Sequence, residues 1–144
     1  MSKGVQEYLE LNYDERISRG TGFLIEDALF TISWDELSDY IIRFEEYLDK
    51  YSEFTYVANK VLQSKDFYIY LYTQCLDMYT FDYMRYDYGN PNEHSDSFNR
   101  FIETYPHSKY HPIILGYIDI LEKNGFVYDE TAKKYLKECG IKVD

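Results

Sequence analysis

The amino-acid sequence predicts an all-α fold: a single compact domain of about six to eight helices arranged as an irregular helical bundle. Apolar residues recur at steps of three and four along most of the chain, and capping residues precede several of these segments. The hydrophobic fraction, 45% of 144 residues, is sufficient for one core, whereas two domains would each be too small. We therefore expect residues 1–144 to form one helical domain.

The N-terminal segment predicts the first helix. Its apolar residues follow one another at steps of four: Val5, Leu9, Tyr13 and Ile17. Gly20 is a suitable residue for the C-terminal cap. Residues 21–32, which come next, are too short and too evenly apolar for their period to separate a buried helix from a strand. We predict a helix there.

The clearest helix begins after Ser33. Ser33 and Glu36 have the spacing of a capping box, in which each side chain accepts a hydrogen bond from the backbone of the other. Apolar residues then follow at helical spacing: Trp34, Leu37, Ile41, Phe44, Leu48 and Tyr51. This pattern is typical of a helix that packs one face on a core.

Two helices are predicted next, a short one over residues 52–63 and a long one over residues 64–86. The long segment opens with alternating aromatic residues, which are typical of a strand. No turn residue interrupts it, however, and a strand of such length is far outside the usual range. The sequence favours a helix; the alternative is a strand near residues 66–73, which would make the fold α+β.

The last part of the chain predicts three further helices. Residues 97–105 and 111–125 have helical apolar spacing, with Pro112 in the first turn of the second segment and Gly125 at its end. Asp129 is a suitable N-cap for a short final helix. Short connections between these segments favour neighbouring helices in one bundle.

Charge is the strongest feature of the composition. The chain has 15 Lys and Arg against 26 Asp and Glu, a net charge of −11. The excess lies in two windows: residues 26–53 carry nine carboxylates and two cations, and residues 77–96 carry five carboxylates and one cation. Because nucleic-acid binding draws on Lys and Arg that neutralise phosphates, we expect no direct nucleic-acid ligand. A joint negative field from the two windows would instead attract a basic partner.

Carboxylates and tyrosines lie side by side in both windows. On a helical wheel, Asp35, Asp39 and Glu46 fall within about 40° of one another, with tyrosines beside them. Tyrosine offers a large contact area with few rotatable bonds, and carboxylates pair with arginine. The predicted partner-binding residues are Asp35, Asp39, Glu46, Asp49, Tyr40, Tyr47, Asp82, Tyr83, Tyr86, Asp87 and Tyr88.

Such a surface indicates a small protein-binding inhibitor. It would block a basic partner that handles nucleic acid, such as a nuclease, as a toxin-immunity protein or a phage-type nucleic-acid mimic does. The alternative is a helical adaptor or regulatory subunit of a larger assembly, without an inhibitory role. A third interpretation needs no partner: the tyrosines are half-buried core residues, and the acidity keeps the protein soluble.

Catalytic and metal-binding interpretations have little support in the sequence. His107 and His111, with Glu103 or Asp119 as a carboxylate partner, resemble a metal site in ligand type alone. Prolines directly beside both histidines disfavour a regular turn that carries the two together. The cysteines stand 64 residues apart, without a CxxC motif, and no glycine-rich phosphate loop occurs. We predict that the protein is not an enzyme and needs no cofactor or metal.

The sequence also predicts a cytoplasmic location. Its longest uncharged apolar runs are far shorter than the roughly 20 residues of a membrane-spanning helix. The first 15 residues lack the apolar region of a signal peptide. We therefore expect no membrane contact, while the oligomeric state is left open.

Overall fold

The fold combines six helices with one small sheet, as seen in a computed structural model that describes residues 2–19, 24–26, 29–53, 55–82, 87–88 and 93–144. The helices are α1 (Lys3–Arg19), α2 (Trp34–Lys50), α3 (Thr55–Gln74), α4 (Glu93–Thr104), α5 (His111–Asn124) and α6 (Glu130–Glu138). The strands are β1 (Ile25–Glu26), β2 (Leu29–Phe30), β3 (Tyr79–Asp82) and β4 (Asp87–Tyr88). The predicted helical bundle is confirmed, and the short strands are an addition to it.

The sheet has the strand order β1-β2-β3-β4. β1 and β2 form an antiparallel hairpin, extended by Thr31, whose backbone N–H donates to the Leu24 carbonyl at 2.9 Å. β2 pairs in parallel with β3, and β3 pairs with β4 antiparallel. The helix predicted over residues 21–32 is therefore wrong in its described part, because β1 and β2 pair with each other and β2 also pairs with the distant β3. Residues 20–23 and 27–28 lie outside the described residues.

Two helices were predicted over residues 52–86. The structure instead has a single helix, α3, which covers most of the first predicted helix and the beginning of the second. The alternative strand near residues 66–73 is wrong, because α3 buries Tyr68, Leu71 and Tyr72 at helical spacing. The predicted helix also extended too far, since α3 ends at Gln74. The chain then enters β3, and residues 83–86 lie outside the described residues.

The predicted caps of α2, α5 and α6 are confirmed, whereas the predicted cap Gly20 lies outside the described residues. Ser33 Oγ accepts from the Glu36 N–H at 3.1 Å, and Glu36 Oε1 accepts from the Ser33 N–H at 3.2 Å, which completes the capping box of α2. Asp129 Oδ1 accepts from the Ala132 N–H at 2.9 Å at the start of α6. Gly125 ends α5 with φ +77°, a left-handed conformation that favours glycine.

Aromatic residues form the centre of the core. Trp34 contacts Phe30 edge-on at 5.0 Å between ring centroids and Tyr72 at 6.0 Å. Tyr72 contacts Phe98 edge-on at 4.9 Å, and its hydroxyl bonds to Ser97 Oγ at 2.9 Å. The core thus joins β2, α2, α3 and α4, and tyrosine hydroxyls inside it have partners.

Helix α1 packs on the bundle with a polar face. Its three buried residues are Gly4, Leu11 and Glu15. The Glu15 carboxylate accepts hydrogen bonds from the Tyr68 hydroxyl and from Arg19, whose Nη2 lies 2.6 Å away. Tyr47 donates its hydroxyl proton to the Gly4 carbonyl at 2.7 Å. Hydrogen bonds and an ion pair therefore supply much of the attachment of α1.

The apolar stripe of α1 faces outward. The exposed fractions of Leu9, Tyr13 and Ile17 are 46%, 65% and 63%. Within the described ranges, no helix is long and apolar enough to cross a membrane. The exposed fractions of Leu9, Tyr13 and Ile17 place the stripe on the surface of the protein.

Gly116 is the point where α6 crosses α5. The Tyr135 ring of α6 stacks on Tyr117 with an interplanar angle of 7° and a centroid distance of 6.0 Å. The Tyr135 hydroxyl donates to the Ile113 carbonyl at 2.7 Å, directly over Gly116. A Cβ at position 116 would collide with the Tyr135 hydroxyl oxygen.

The substitution Gly116→Ala should therefore destabilise the protein, although alanine normally stabilises a helix by roughly 1 kcal/mol relative to glycine. We expect a loss of about 1–3 kcal/mol in the free energy of unfolding, because overpacking forces Tyr135 away from its stacked position. Urea unfolding followed by circular dichroism measures it.

The control is the same substitution in a Tyr135→Phe background, where the colliding oxygen is absent. Alanine should cost less there than in the wild-type background. An alanine variant as stable as the wild type would contradict the proposed collision.

Candidate protein-binding surface

Two grooves flank the exposed edge of α2. The α1–α2 groove has a volume of about 300 Å³ and lies between α1 and α2. The α2–loop groove has a volume of about 500 Å³ and lies between α2 and residues 104–109, where α4 connects to α5. Glu46 lines both grooves and so lies on the ridge between them.

Carboxylates predominate over cations in the two grooves. Six carboxylates line them: Glu7, Glu10, Asp14, Glu45, Glu46 and Asp49. The cations are Arg43, Lys50 and Lys109, three in number. The surface around the ridge therefore carries a net negative charge, in keeping with the charge of the whole chain.

Ion pairs use part of the charge in the α1–α2 groove. Arg43 lies 2.9 Å from the Asp14 carboxylate, and Lys50 lies 3.2 Å from that of Glu7. Both pairs are largely exposed, so each contributes little to stability. Glu10 and Glu46 have no ion-pair partner among the described residues. They are the carboxylates of this groove that remain available to a partner.

Glu45 fixes the base of the α2–loop groove. Its carboxylate lies 2.8 Å from the Lys65 ammonium of α3 and 2.7 Å from that of Lys109. The Tyr110 hydroxyl donates to it at 3.4 Å. Burial raises the pKa of Glu45, but hydrogen bonds from Lys109 and Lys65 outweigh burial, and the pKa lies below its usual range. We call these four residues the Glu45 cluster.

Tyr105 forms one wall of the α2–loop groove. Its hydroxyl donates a short hydrogen bond to the Asp39 carboxylate. The pKa of Tyr105 is raised by its burial, by the bond to Asp39 and by the negative charges of Glu46 and Asp35. We did not predict this residue from the sequence. The available signal was its position before Pro106, where a helix tends to end.

The four predicted carboxylates of α2 fall into two groups: two bond to other elements of the protein, and two are exposed. Asp35 accepts from Arg100 Nε at 2.8 Å, and Asp39 accepts from Tyr105, so both connect α2 to α4 and the residues that follow it. Glu46 and Asp49 are exposed in the α2–loop groove and have no ion-pair partner in the described part of the chain. Among the predicted carboxylates of α2, Glu46 and Asp49 are thus the two in which neither oxygen has an ion pair or hydrogen bond within the described residues.

Tyr40 and Tyr47, which the sequence predicted as partner-binding residues, are buried, since each is only 5% exposed. The Tyr40 hydroxyl bonds to Ser18 Oγ at 2.8 Å, and that of Tyr47 bonds to α1. The helical wheel of α2 placed them beside the carboxylates, but α1 covers that side. Their rings belong to the core.

The second predicted set lies on β3, on β4 and between them. Asp82 of β3 stands opposite Asp87 of β4 in the strand register, next to the pair formed by Phe81 and Tyr88. The structure describes the backbone of these residues and not their side chains. Tyr83 and Tyr86 lie outside the described residues, so their role in binding stays a prediction.

Histidines and cysteines were the candidate metal-binding and nucleophilic residues of the sequence. No group of three or more His, Cys, Asp or Glu side chains there has the geometry to hold a metal ion. His94 packs in the core against Trp34 and Phe126. Cys75 and Cys139 are free and half-buried, and burial raises the pKa of the Cys75 thiol, which disfavours the reactive thiolate.

Comparison with known proteins gives no relative for this chain: no family model, no curated protein and no solved structure matches it. The features that bear on function are therefore those of the surface itself. These are the ridge of α2, its two grooves and the exposed stripe of α1.

The substitution Glu45→Gln should destabilise the protein by about 3 kcal/mol at neutral pH, because it leaves the Lys65 ammonium nearly buried without a carboxylate. The stabilising effect of Glu45 should be complete above its unfolded-state pKa of about 4.3. It should be lost as the pH falls through the lower folded-state pKa. Urea unfolding of both proteins between neutral and acidic pH measures this difference.

Glu46→Gln is the matched control, because Glu46 is the exposed neighbour of Glu45. It should change the free energy of unfolding by less than about 0.5 kcal/mol. A Glu45 effect that does not diminish in acid would show that the charge of Glu45 is not what stabilises the cluster.

Proposed function

We propose that this protein is a small acidic inhibitor that binds a basic enzyme acting on nucleic acid and blocks the surface on which that enzyme holds its substrate. The observation that carries the proposal is the ridge of α2, where Glu46 and Asp49 are exposed without ion-pair partners in the described structure. Glu46 lines both grooves and Asp49 lines the α2–loop groove, and carboxylates outnumber cations in each groove.

The charge of the protein favours a cationic partner. Its net charge of −11 attracts a positively charged protein over long range and raises the association rate at low salt. A nucleic-acid-binding enzyme presents arginine and lysine residues that normally contact phosphates. Carboxylate oxygens carry a negative charge, as phosphate oxygens do, and arginine binds a carboxylate with two parallel hydrogen bonds.

The α2–loop groove is suited to hold such a side chain. Ile42 and Pro106 supply apolar surface for the aliphatic part of a lysine or arginine. Glu46 and Asp49 then receive the charged group, and the half-buried ring of Tyr105 lies beside them. Arginine also stacks on aromatic rings, which adds to the attraction.

Internal contacts hold this groove in place before any partner arrives. The Glu45 cluster fixes its base, while Arg100 and Tyr105 bind Asp35 and Asp39. Binding to an already ordered surface costs less conformational entropy than binding that orders it. A fixed groove therefore supports the tight complex that an inhibitor requires.

The double substitution Glu46→Lys and Asp49→Lys should abolish capture of the basic enzyme from a lysate of the source organism at low salt. Reversal of two exposed charges should also slow association with the purified enzyme by about tenfold or more, since steering depends on the local field. Elution in a salt gradient with mass spectrometry identifies the enzyme, and stopped-flow fluorescence measures the rate.

Glu122→Lys with Glu138→Lys is the matched control, because it makes the same change in net charge at exposed positions that line neither groove. The control should still capture the enzyme and inhibit its activity on nucleic acid. Equal loss in both double variants would mean that overall charge, not the ridge, drives binding. Capture without inhibition would replace the inhibitor by an adaptor.

A further inference from the structure

The exposed stripe of α1 has no role in the fold described so far. Leu9, Tyr13 and Ile17 stand on successive turns, with exposed fractions between 46% and 65%. From Leu9 to Ile17 the stripe extends about 12 Å along the helix axis, at 1.5 Å per residue. An apolar surface aligned in this way marks a site of interaction more often than isolated exposed apolar residues do.

The stripe has an acidic side. Relative to Tyr13, Glu10 lies about 60° and Asp14 about 100° around the helix in the same direction. Both line the α1–α2 groove together with Glu46 of α2. Asp14 is paired with Arg43, whereas Glu10 and Glu46 have no ion-pair partner among the described residues. An apolar surface thus borders directly on available carboxylates.

We propose that this stripe and the α1–α2 groove together bind an amphipathic, cationic helix of the partner protein. The apolar face of that helix packs on Leu9, Tyr13 and Ile17, and its basic flank contacts Glu10 and Glu46. The inference rests on the proposed function, since it specifies which structural element of the basic partner binds to this protein. In helix-in-groove recognition, apolar residues on successive turns of one helical face make the contact, and the stripe presents such residues at i, i+4 and i+8.

A helix fits this surface better than an extended peptide does. The backbone of α1 is already bonded within the helix, so an extended segment would find no free strand edge to pair with. A second copy of this chain is disfavoured by charge, because each copy carries −11 and repels the other. A cationic helix meets both requirements of the surface, apolar contact and positive charge.

Fluorescence anisotropy with a labelled peptide of about 18 residues tests the inference. The peptide consists of leucine and lysine, arranged so that leucines occupy one helical face. A scrambled peptide of the same composition has the same charge but no apolar face. We expect the wild-type protein to bind the amphipathic peptide at least about tenfold more tightly at physiological salt, since only that peptide covers the stripe.

The protein variant for this test replaces Leu9, Tyr13 and Ile17 by glutamine, which retains helix propensity at exposed positions. It should bind both peptides equally weakly. The matched control replaces Leu62, Leu115 and Val127, which are 39%, 52% and 56% exposed, by glutamine. This control should keep the preference for the amphipathic peptide.

Other outcomes overturn the inference in distinguishable ways. Peptide binding that requires Glu46 and Asp49 but not the stripe would exclude helix docking on α1 and leave the inhibitor proposal standing. Self-association of the wild type in sedimentation velocity, abolished by the stripe variant, would make a second copy the occupant. Stripe-dependent peptide binding without capture of a basic enzyme would support docking and count against inhibition.

Discussion

The interaction on which the arrangement of the bundle depends is the buried ion pair between Glu45 and Lys65. Their side chains are only 16% and 10% exposed, so each charge would be costly without the other. Lys109 and Tyr110 complete the coordination of the carboxylate from the loop before α5. A single side chain of α2 therefore contacts both α3 and the α4–α5 loop, and Lys109 of that loop lines the α2–loop groove.

A buried carboxylate also attaches helix α1 to the bundle, and in this helix several apolar side chains face outward. A buried carboxylate, Glu15, holds it against Tyr68 of α3, and apolar residues remain outside. Burial raises the pKa of Tyr68, and the hydrogen bond to Glu15 raises it further, so the phenol stays protonated as a donor. At the contact between α1 and α3, a carboxylate-to-tyrosine bond thus stands where aliphatic packing is more usual, and Leu9 and Ile17 of α1 remain on the surface.

The sequence predicted those elements whose signals are local. The capping box at Ser33, the proline at the start of α5 and the Asp129 cap lie within one turn of the backbone groups that they concern, and these predictions were confirmed. The pairing of β2 with β3 and the end of α3 at Gln74 involve partners distant in sequence, which periodicity does not reveal.

The candidate site was also predictable from the sequence only in part. The wheel correctly placed Glu46 and Asp49 on the outer edge of α2, because their exposure follows from helix geometry. It could not show that Arg100 and Tyr105 would engage Asp35 and Asp39, or that α1 would cover the neighbouring tyrosine rings. Those facts depend on packing between elements, and Tyr105 was missed for the same reason.

The location of the single tryptophan gives the molecule a built-in optical probe. Trp34 is 1% exposed and lies among rings from β2, α3 and α4, so its fluorescence reports the environment where these elements meet. Trp34 is the only tryptophan among the 18 tyrosine and 9 phenylalanine rings of the chain, so its emission comes from a single site. Because Trp34 lines neither groove, a change in its emission wavelength signals loosening of the interior, whereas events on the α2 ridge leave that wavelength unchanged.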